Sequence, residues 1–304
     1  MSVETTSKPL TWLITGCSSG FGLALVRIAQ AKGHHVIATS RNPARTPELV
    51  DEIKSKGGRW EALDLEDPNC GKVIEDLEKD DVAIDVLVNN AGMSFFCPTD
   101  VLEEADLKQL FETNFFGPWR LIKAAGPHMR QRRTGTVVNI SSGGSIRTHA
   151  CFSAYGSSKA ALDVMSRTLQ AEYAEFGLRV LLVNSGAFDT KIIPKVMDSV
   201  KPLDTSYHNT SMHMVHGLLQ GKMVTPMADH FKAMEVLYDV IVGEGSGKGL
   251  EGEKIFPLGA DVVGALQELI GTYNHAIEAF DPINKTELAV EDVTAEEWKA
   301  RNGQ

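Results

Sequence analysis

The sequence predicts an α/β fold, a single doubly wound parallel sheet of about seven strands with helices on both faces and a C-terminal substrate lid. Three observations predict it. Short β-rich runs alternate with longer helical patterns, and a glycine-rich turn follows the first run. The runs are apolar at successive positions, as strands buried on both faces must be. With 304 residues and 43% hydrophobic content, the chain is long enough to bury a full core.

Each element follows in order. "TWLIT" reads as the first strand and Gly22 to Lys32 as its helix; "HVIAT" precedes a helix from Pro47 to Lys56. "WEALDL" precedes Asn69 to Lys79, and "AIDVLVNN" precedes one long helix from Glu103 to Met129. "GTVVNIS" leads to the helix Ala154 to Phe176, and "RVLLVNS" closes the set. Strands separated by helices place a ligand crevice at the carboxyl ends of the strands. Beyond Gly186 the pattern loosens into a segment rich in Met, His, Pro and Gly, and residues 187–226 are read as a substrate loop or lid. A helix from about Pro226 to Val242, a last strand "KIFPL" and a final helix over about 261–280 complete the domain. In that helix Val262, Val263, Leu266, Leu269, Ile270, Tyr273, Ile277 and Phe280 form a stripe expected to be core or subunit contact, and 281–304 are expected to be a frayed tail. The whole chain, 1–304, is read as one domain whose cofactor-binding and catalytic core spans about 10–190.

Bulk properties exclude several classes. A net charge of -10 argues against nucleic-acid or anionic-membrane partners, which need a positive field. Arg130, Arg132 and Arg133 are expected to be a solvated helix end. The amino terminus has no basic and apolar leader pattern, and no run of 18 apolar residues follows, so a cytoplasmic location is expected. Cys17, Cys70, Cys97 and Cys151 have no metal-ligand spacing and are expected to be buried or idle thiols. His208, His213 and His216 lie close together without a carboxylate or cysteine to complete a metal set, so no metal site is expected.

The turn after the first strand reads "TGCSSGFG", with Gly16, Ser18, Ser19, Gly20, Phe21 and Gly22. Glycines at this strand-to-helix junction let the backbone approach a pyrophosphate, and helix-terminal amides favour its charge. At the end of the second strand Ser40 stands where an acidic residue would hold the ribose of NAD, and Arg41 follows. An arginine there suits a 2′-phosphate, so NADP(H) is expected over NAD(H), with Arg45 either assisting or an ordinary exposed arginine.

Together "TGCSSGFG", "NNAG" at Asn89 to Gly92, Asn114 in "NFFG", "NISS" at Asn139 to Ser142, and Tyr155 with Lys159 resemble the short-chain dehydrogenase/reductase family in order and spacing, over about Thr11 to Thr190. More loosely, "TGCSSGFG" and "FPLGAD" resemble its retinol and 17β-hydroxysteroid dehydrogenase-like members. The resemblance implies a Rossmann-type domain and an oxidoreductase in which Ser142 polarises a substrate carbonyl, with Ser141 as its near competitor. Tyr155 would act as general acid/base and Lys159 would bind the nicotinamide ribose, while Asn114 would anchor a proton relay. The chemistry is sound on elementary grounds, because a phenol with a pKa of about 10 is a reluctant acid or base near neutrality. A lysine one helical turn later is expected to lower that pKa. Further implied cofactor contacts are Asp64 and Leu65 at the adenine, Asn90, Ala91 and Gly92 beside the adenosine ribose, and Gly186, Phe188 and Thr190 near the nicotinamide. Asn90 is equally readable as a structural brace. Ser185 replaces the family's usual proline, which is expected to loosen that turn.

The lid methionines Met197, Met212, Met214, Met223 and Met227 suit a medium-sized hydrophobic carbonyl or alcohol substrate or simply pack the lid. Two other functions stay open on sequence, a non-catalytic cofactor-sensing regulator and an NADPH-using biosynthetic enzyme acting on an imine or guiding a cyclisation. The resemblance also implies a homodimer or homotetramer paired through the helices at Glu103 to Met129 and Ala154 to Phe176.

Overall fold

The computed structural model describes residues 8–189, 203–219 and 228–286, together with Glu297 and Lys299. Seven parallel strands form the main sheet in the order β3-β2-β1-β4-β5-β6-β9, where β1 is Thr11–Ile14, β2 His35–Ser40, β3 Arg59–Ala62, β4 Val86–Asn89, β5 Thr136–Ser142, β6 Arg179–Ser185 and β9 Ile255–Leu258. The order reverses between β1 and β4, which creates the crevice at the strand ends. A separate two-stranded ladder pairs β7, Phe188–Asp189, with β8, Ala228–Asp229. Pro257 is accommodated because β9 is an edge strand.

Side chains that alternate along each strand divide into two cores. Trp12, Ile14, Val36, Ala38, Val86 and Val88 face the helices α1, Gly20–Ala31, and α8, His230–Val242. Leu13, Ile37, Leu87, Val137 and Val180 face α3, Lys72–Lys79, and α5, Gly117–Arg132. This explains the apolar runs: both faces of the sheet are covered, so both phases of the alternation are largely apolar, and the polar residues buried in the strands, such as Asn89, Asn139 and Asn184, lie from mid-strand toward the carboxyl end. α6, Ser153–Ala174, lies on the second face with Met165, Leu169 and Tyr173 packed against that core. The remaining helices are α2, Pro47–Ser55, α4, Glu104–Phe111, α7, Ser211–Leu219, and α9, Ala260–Thr286.

Four expectations need correction. The single helix expected from Glu103 to Met129 is α4 and α5 joined by a π-helical turn, Glu112–Phe116, with the fully buried Asn114 at its centre. A π turn adds a residue per turn without a change in hydrophobic pattern that periodicity would register. In α9 Val262 and Ala265 are buried, while Ile270, Tyr273, Ile277 and Phe280 are 57 to 62% exposed, so of the two expectations for this stripe, core or subunit contact, its outer part does not meet the first. α9 also runs on through 281–286, part of the expected tail, while 187–226 contains the helix α7. Arg132 is not solvated as expected: it pairs through two nitrogens with the Glu78 carboxylate at 2.6 and 3.0 Å and caps the Ile84 carbonyl. All four cysteines are buried. No helix among the described residues is long and apolar enough to cross a membrane.

Candidate active site

A cavity of about 430 Å³ lies at the carboxyl ends of β1, β2, β4, β5 and β6. Its floor is the β1–α1 turn, where Gly16 and Gly20 adopt φ of +74° and +58°, a region costly for any side chain. A Cβ on Gly16 would lie 2.8 Å from Ala91 Cα, and one on Gly22 would lie 2.6 Å from the Gly16 carbonyl oxygen. The turn is therefore packed to the backbone on one side. On the other, Ser18, Ser19, Gly20 and Phe21 line the cavity. Ser19 at the N-cap of α1 makes no side-chain bond to the helix, and no carboxylate stands in the first turn. Uncapped amides and the positive helix end are what a pyrophosphate requires, so the residues present fit a dinucleotide.

Thr15, which sequence reasoning quoted without assigning, holds this floor to the next wall. Its buried hydroxyl accepts the amides of Asn90 and Ala91, both at 2.9 Å, and the Asn90 side chain donates to the Thr15 carbonyl at 2.7 Å. Asn90 is thus a brace, and it also lines the cavity with Ala91 and Gly92. At the far end, Ser40, Arg41, Asp64 and Leu65 form the wall. The Ser40 hydroxyl accepts the Trp60 indole N–H at 3.0 Å, and the Arg41 side chain, 71% exposed, lies 3.6 Å from the Glu66 carboxylate. An ion pair so long and exposed holds the guanidinium weakly, which leaves it available at the cavity rim. Arg45 is exposed and is not part of the wall.

Ser142, Tyr155 and Lys159 come together at the opposite end of the cavity. Successive residues of β5 point to opposite faces. Ser141 accordingly turns its hydroxyl toward α6, 3.4 Å from the Lys159 carbonyl oxygen, while the Ser142 hydroxyl accepts the Gly144 amide at 3.1 Å and lines the cavity with Tyr155. Burial pushes the Tyr155 phenol above its ordinary value; the Ser142 hydroxyl opposes the rise and the Asp163 charge adds to it, so the phenol stands raised where the lysine spacing suggested a lowered one. Lys159 is buried, its Nζ donates to the Ile140 carbonyl at 2.9 Å, and burial pulls its own pKa down to about 8. Gly92 leaves room for this group, since a Cβ there would lie 3.4 Å from Lys159 Nζ.

Asn114 is not in the cavity wall. Its side-chain oxygen accepts the Met93 amide at 2.9 Å, and its nitrogen donates to the Met93 carbonyl at 2.9 Å and to the Ser158 hydroxyl at 3.0 Å. The side chain thus joins the π turn, the β4 loop and α6. Gly156 lets α6 approach: a Cβ there would meet the Gly144 carbonyl at 2.9 Å.

The expected looseness at Ser185 does not occur. Its hydroxyl donates to the Ser141 carbonyl at 2.9 Å, and the Ala187 amide donates to Asp261 at 2.9 Å, so side chains replace the proline's constraint. Gly186 and Phe188 line the cavity, with Phe188 packed edge-on against Phe21 at 5.4 Å. Thr190 lies outside the described residues, as do Met197, Met223 and Met227. Beside Tyr155, Phe96 and Phe152 stack at 4.4 Å, and Met212 and Val215 of α7 pack against this cluster. Met214 is 58% exposed. The His208 and His213 rings face each other at 5.0 Å, and among the described residues no three potential metal ligands are gathered. Sequence reasoning also missed Asp163, four residues beyond Lys159, and Asp261, though the spacing of the first and the "GAD" wording of the second were visible.

Comparison with known proteins agrees with this geometry. The short chain dehydrogenase family model matches residues 11–201. The oxidoreductase claN of Passalora fulva is 46% identical over 184 residues, spanning 60% of this chain and 83% of that protein. Retinol dehydrogenase 8 of Homo sapiens is 35% identical over 198 residues, 64% of each. Among solved structures, a short-chain dehydrogenase from Streptomyces avermitilis superposes with a TM-score of 0.78 at 31% identity, covering 93% of this chain and 100% of that one. A metagenomic short-chain oxidoreductase in complex with NADP gives a TM-score of 0.56 at 28% identity, covering 59% and 82%. With its family model matched over more than half its length and its sheet, glycine turn and cavity arranged as described, this chain belongs to the short-chain dehydrogenase family of oxidoreductases.

Proposed function

We propose that the protein is an NADPH-dependent oxidoreductase that reduces a ketone, or oxidises the matching secondary alcohol, of a medium-sized hydrophobic substrate. The observation that supports this most is the convergence of the Ser142 hydroxyl and the Tyr155 phenol at the cavity wall with buried Lys159 one helical turn away. When bound, the nicotinamide supplies or accepts the hydride. Two hydroxyl groups that meet at one point suit one carbonyl oxygen: Ser142 polarises it, and the Tyr155 phenol gives its proton as charge develops there. In the oxidative direction the same phenolate takes the alcohol proton back. The Lys159 ammonium favours the phenolate that remains, which offsets the burial that raises the phenol. The Asn114 side-chain oxygen accepts the Met93 amide and has a second lone pair to offer a proton relay.

Preference for NADPH is supported by a wall that lacks a carboxylate at Ser40 and carries the weakly held Arg41. The hydrophobic substrate is supported by the aromatic cluster beside Tyr155. Pairing of two copies through the π turn, α5 and α6 is supported by Phe116, Trp119 and Val164, which are 39, 43 and 54% exposed. The test is consumption of NADPH and NADH against a panel of hydrophobic ketones. Turnover by the wild type with NADPH, lost in Tyr155→Phe, is the expected result; equal rates in the two proteins would remove Tyr155 from the mechanism.

A further inference from the structure

Asp163 lies on α6 four residues beyond Lys159 and eight beyond Tyr155, so the three follow one face of the helix. Its carboxylate oxygen Oδ2 accepts from the Ser145 hydroxyl at 2.7 Å and from the Asn184 amide at 3.0 Å. Ser145 Oγ in turn lies 2.6 Å from the carbonyl oxygen of Ser142. The carboxyl is thus one side chain removed from the residue that presents its hydroxyl to Tyr155. Lys159 gives its hydrogen bond to the Ile140 carbonyl, so Asp163 acts on the ammonium through space.

We propose that Asp163 is a positioning residue for the Tyr155–Lys159 pair: its carboxyl braces the Ser142 end of β5 through Ser145 and holds the positive charge on Lys159 from behind the cavity wall. The proposal rests on the role proposed above for Lys159. Lys159 and Tyr155 are the titratable groups coupled to Asp163. The loop after β5 offers Ser145 and β6 offers Asn184, neither of which titrates; Arg147, farther along that loop, is taken up by Glu268 of α9 at 2.8 Å. Burial disfavours the charge on both Lys159 and Asp163, and each charge supports the other. Removing the carboxylate therefore lowers the Lys159 pKa.

Competitive acetylation with acetic anhydride across about pH 6 to 11, read by mass spectrometry of the peptide containing Lys159, titrates that ammonium in the cofactor-free protein. The wild-type midpoint is expected at about 8. Asp163→Asn keeps an oxygen to accept from Ser145 and loses only the charge, so the midpoint falls by about half a unit or more. Asp163→Glu restores it toward wild type. Asn184→Ala, which removes a donor that favours the Asp163 anion, moves it in the same direction by less. A wild-type midpoint in Asp163→Asn overturns the proposal; if that protein does not fold, a wild-type midpoint in Asn184→Ala does so. A purely structural role would not move this midpoint. The titration uses neither cofactor nor substrate, so a wild type that turns over no carbonyl would sink the reductase reading and leave the Asp163 effect measurable.

Discussion

α6 and α9 invert the usual relation between pattern and burial. α6 buries Ser158, Lys159, Ser166 and Gln170, polar side chains that a soluble helix ordinarily shows to water. α9 has a regular apolar stripe, yet Ile270, Tyr273, Ile277 and Phe280 are exposed along it. The difference lies in what each helix meets. α6 is clamped between the ends of β5 and the π turn, where Asn114, Asn139 and main-chain carbonyls accept or supply the bonds its polar groups need. Among the described residues α9 is buried at Val262 and Ala265, near its start. Hydrophobic periodicity states which face is suited to burial and leaves open whether anything covers it.

The contrast yields paired experiments. The largest effect is expected where a buried polar face is proposed to work: Tyr155→Phe should lower kcat/KM for carbonyl reduction by about 10²–10⁴-fold, whereas Tyr273→Phe on the α9 stripe should leave it unchanged. Next comes packing. Leu162, 1% exposed on α6, should cost about 2–5 kcal/mol on conversion to alanine, read as a shift in the chemical denaturation midpoint. Arg41→Ala tests whether an exposed residue at the cavity rim matters, and should lower the NADPH-to-NADH ratio of kcat/KM by about tenfold, or ~1.4 kcal/mol. The smallest effect belongs to Ile277→Ala, 62% exposed, which should stay within about 0.5 kcal/mol of wild type in the same denaturation assay. A loss of about 2 kcal/mol or more there, close to the value for a core residue, would mean that the stripe is covered in solution.

Much of the fold was readable because it rests on local periodicity and one turn. Strands covered on both faces are largely apolar in both phases, so β1, β2, β4, β5 and β6 announce themselves as apolar runs. Gly16 and Gly22 were readable because close backbone approach excludes every side chain. The π turn at Asn114 was not, since it inserts into a helix without altering its composition. Nor was the tight turn at Ser185, because its constraint comes from Ser141 and Asp261, far away in sequence. The rise in the Tyr155 pKa was also hidden: a lysine at four residues' distance suggests a depressed phenol, but burial is a property of the packed molecule and here prevails.

By itself the sequence determined the doubly wound sheet, the glycine floor and the presence of Ser142, Tyr155 and Lys159 at family spacing, because each depends on neighbours along the chain. Tertiary structure decided the rest. It turned Ser141 toward α6, tied the Asn114 side chain to Met93 and Ser158, joined Asp163 to Ser145 and Asn184, and left Ile270, Tyr273, Ile277 and Phe280 of α9 exposed among the described residues. Those outcomes depend on desolvation and on hydrogen-bond partners tens of residues apart, which no local pattern encodes.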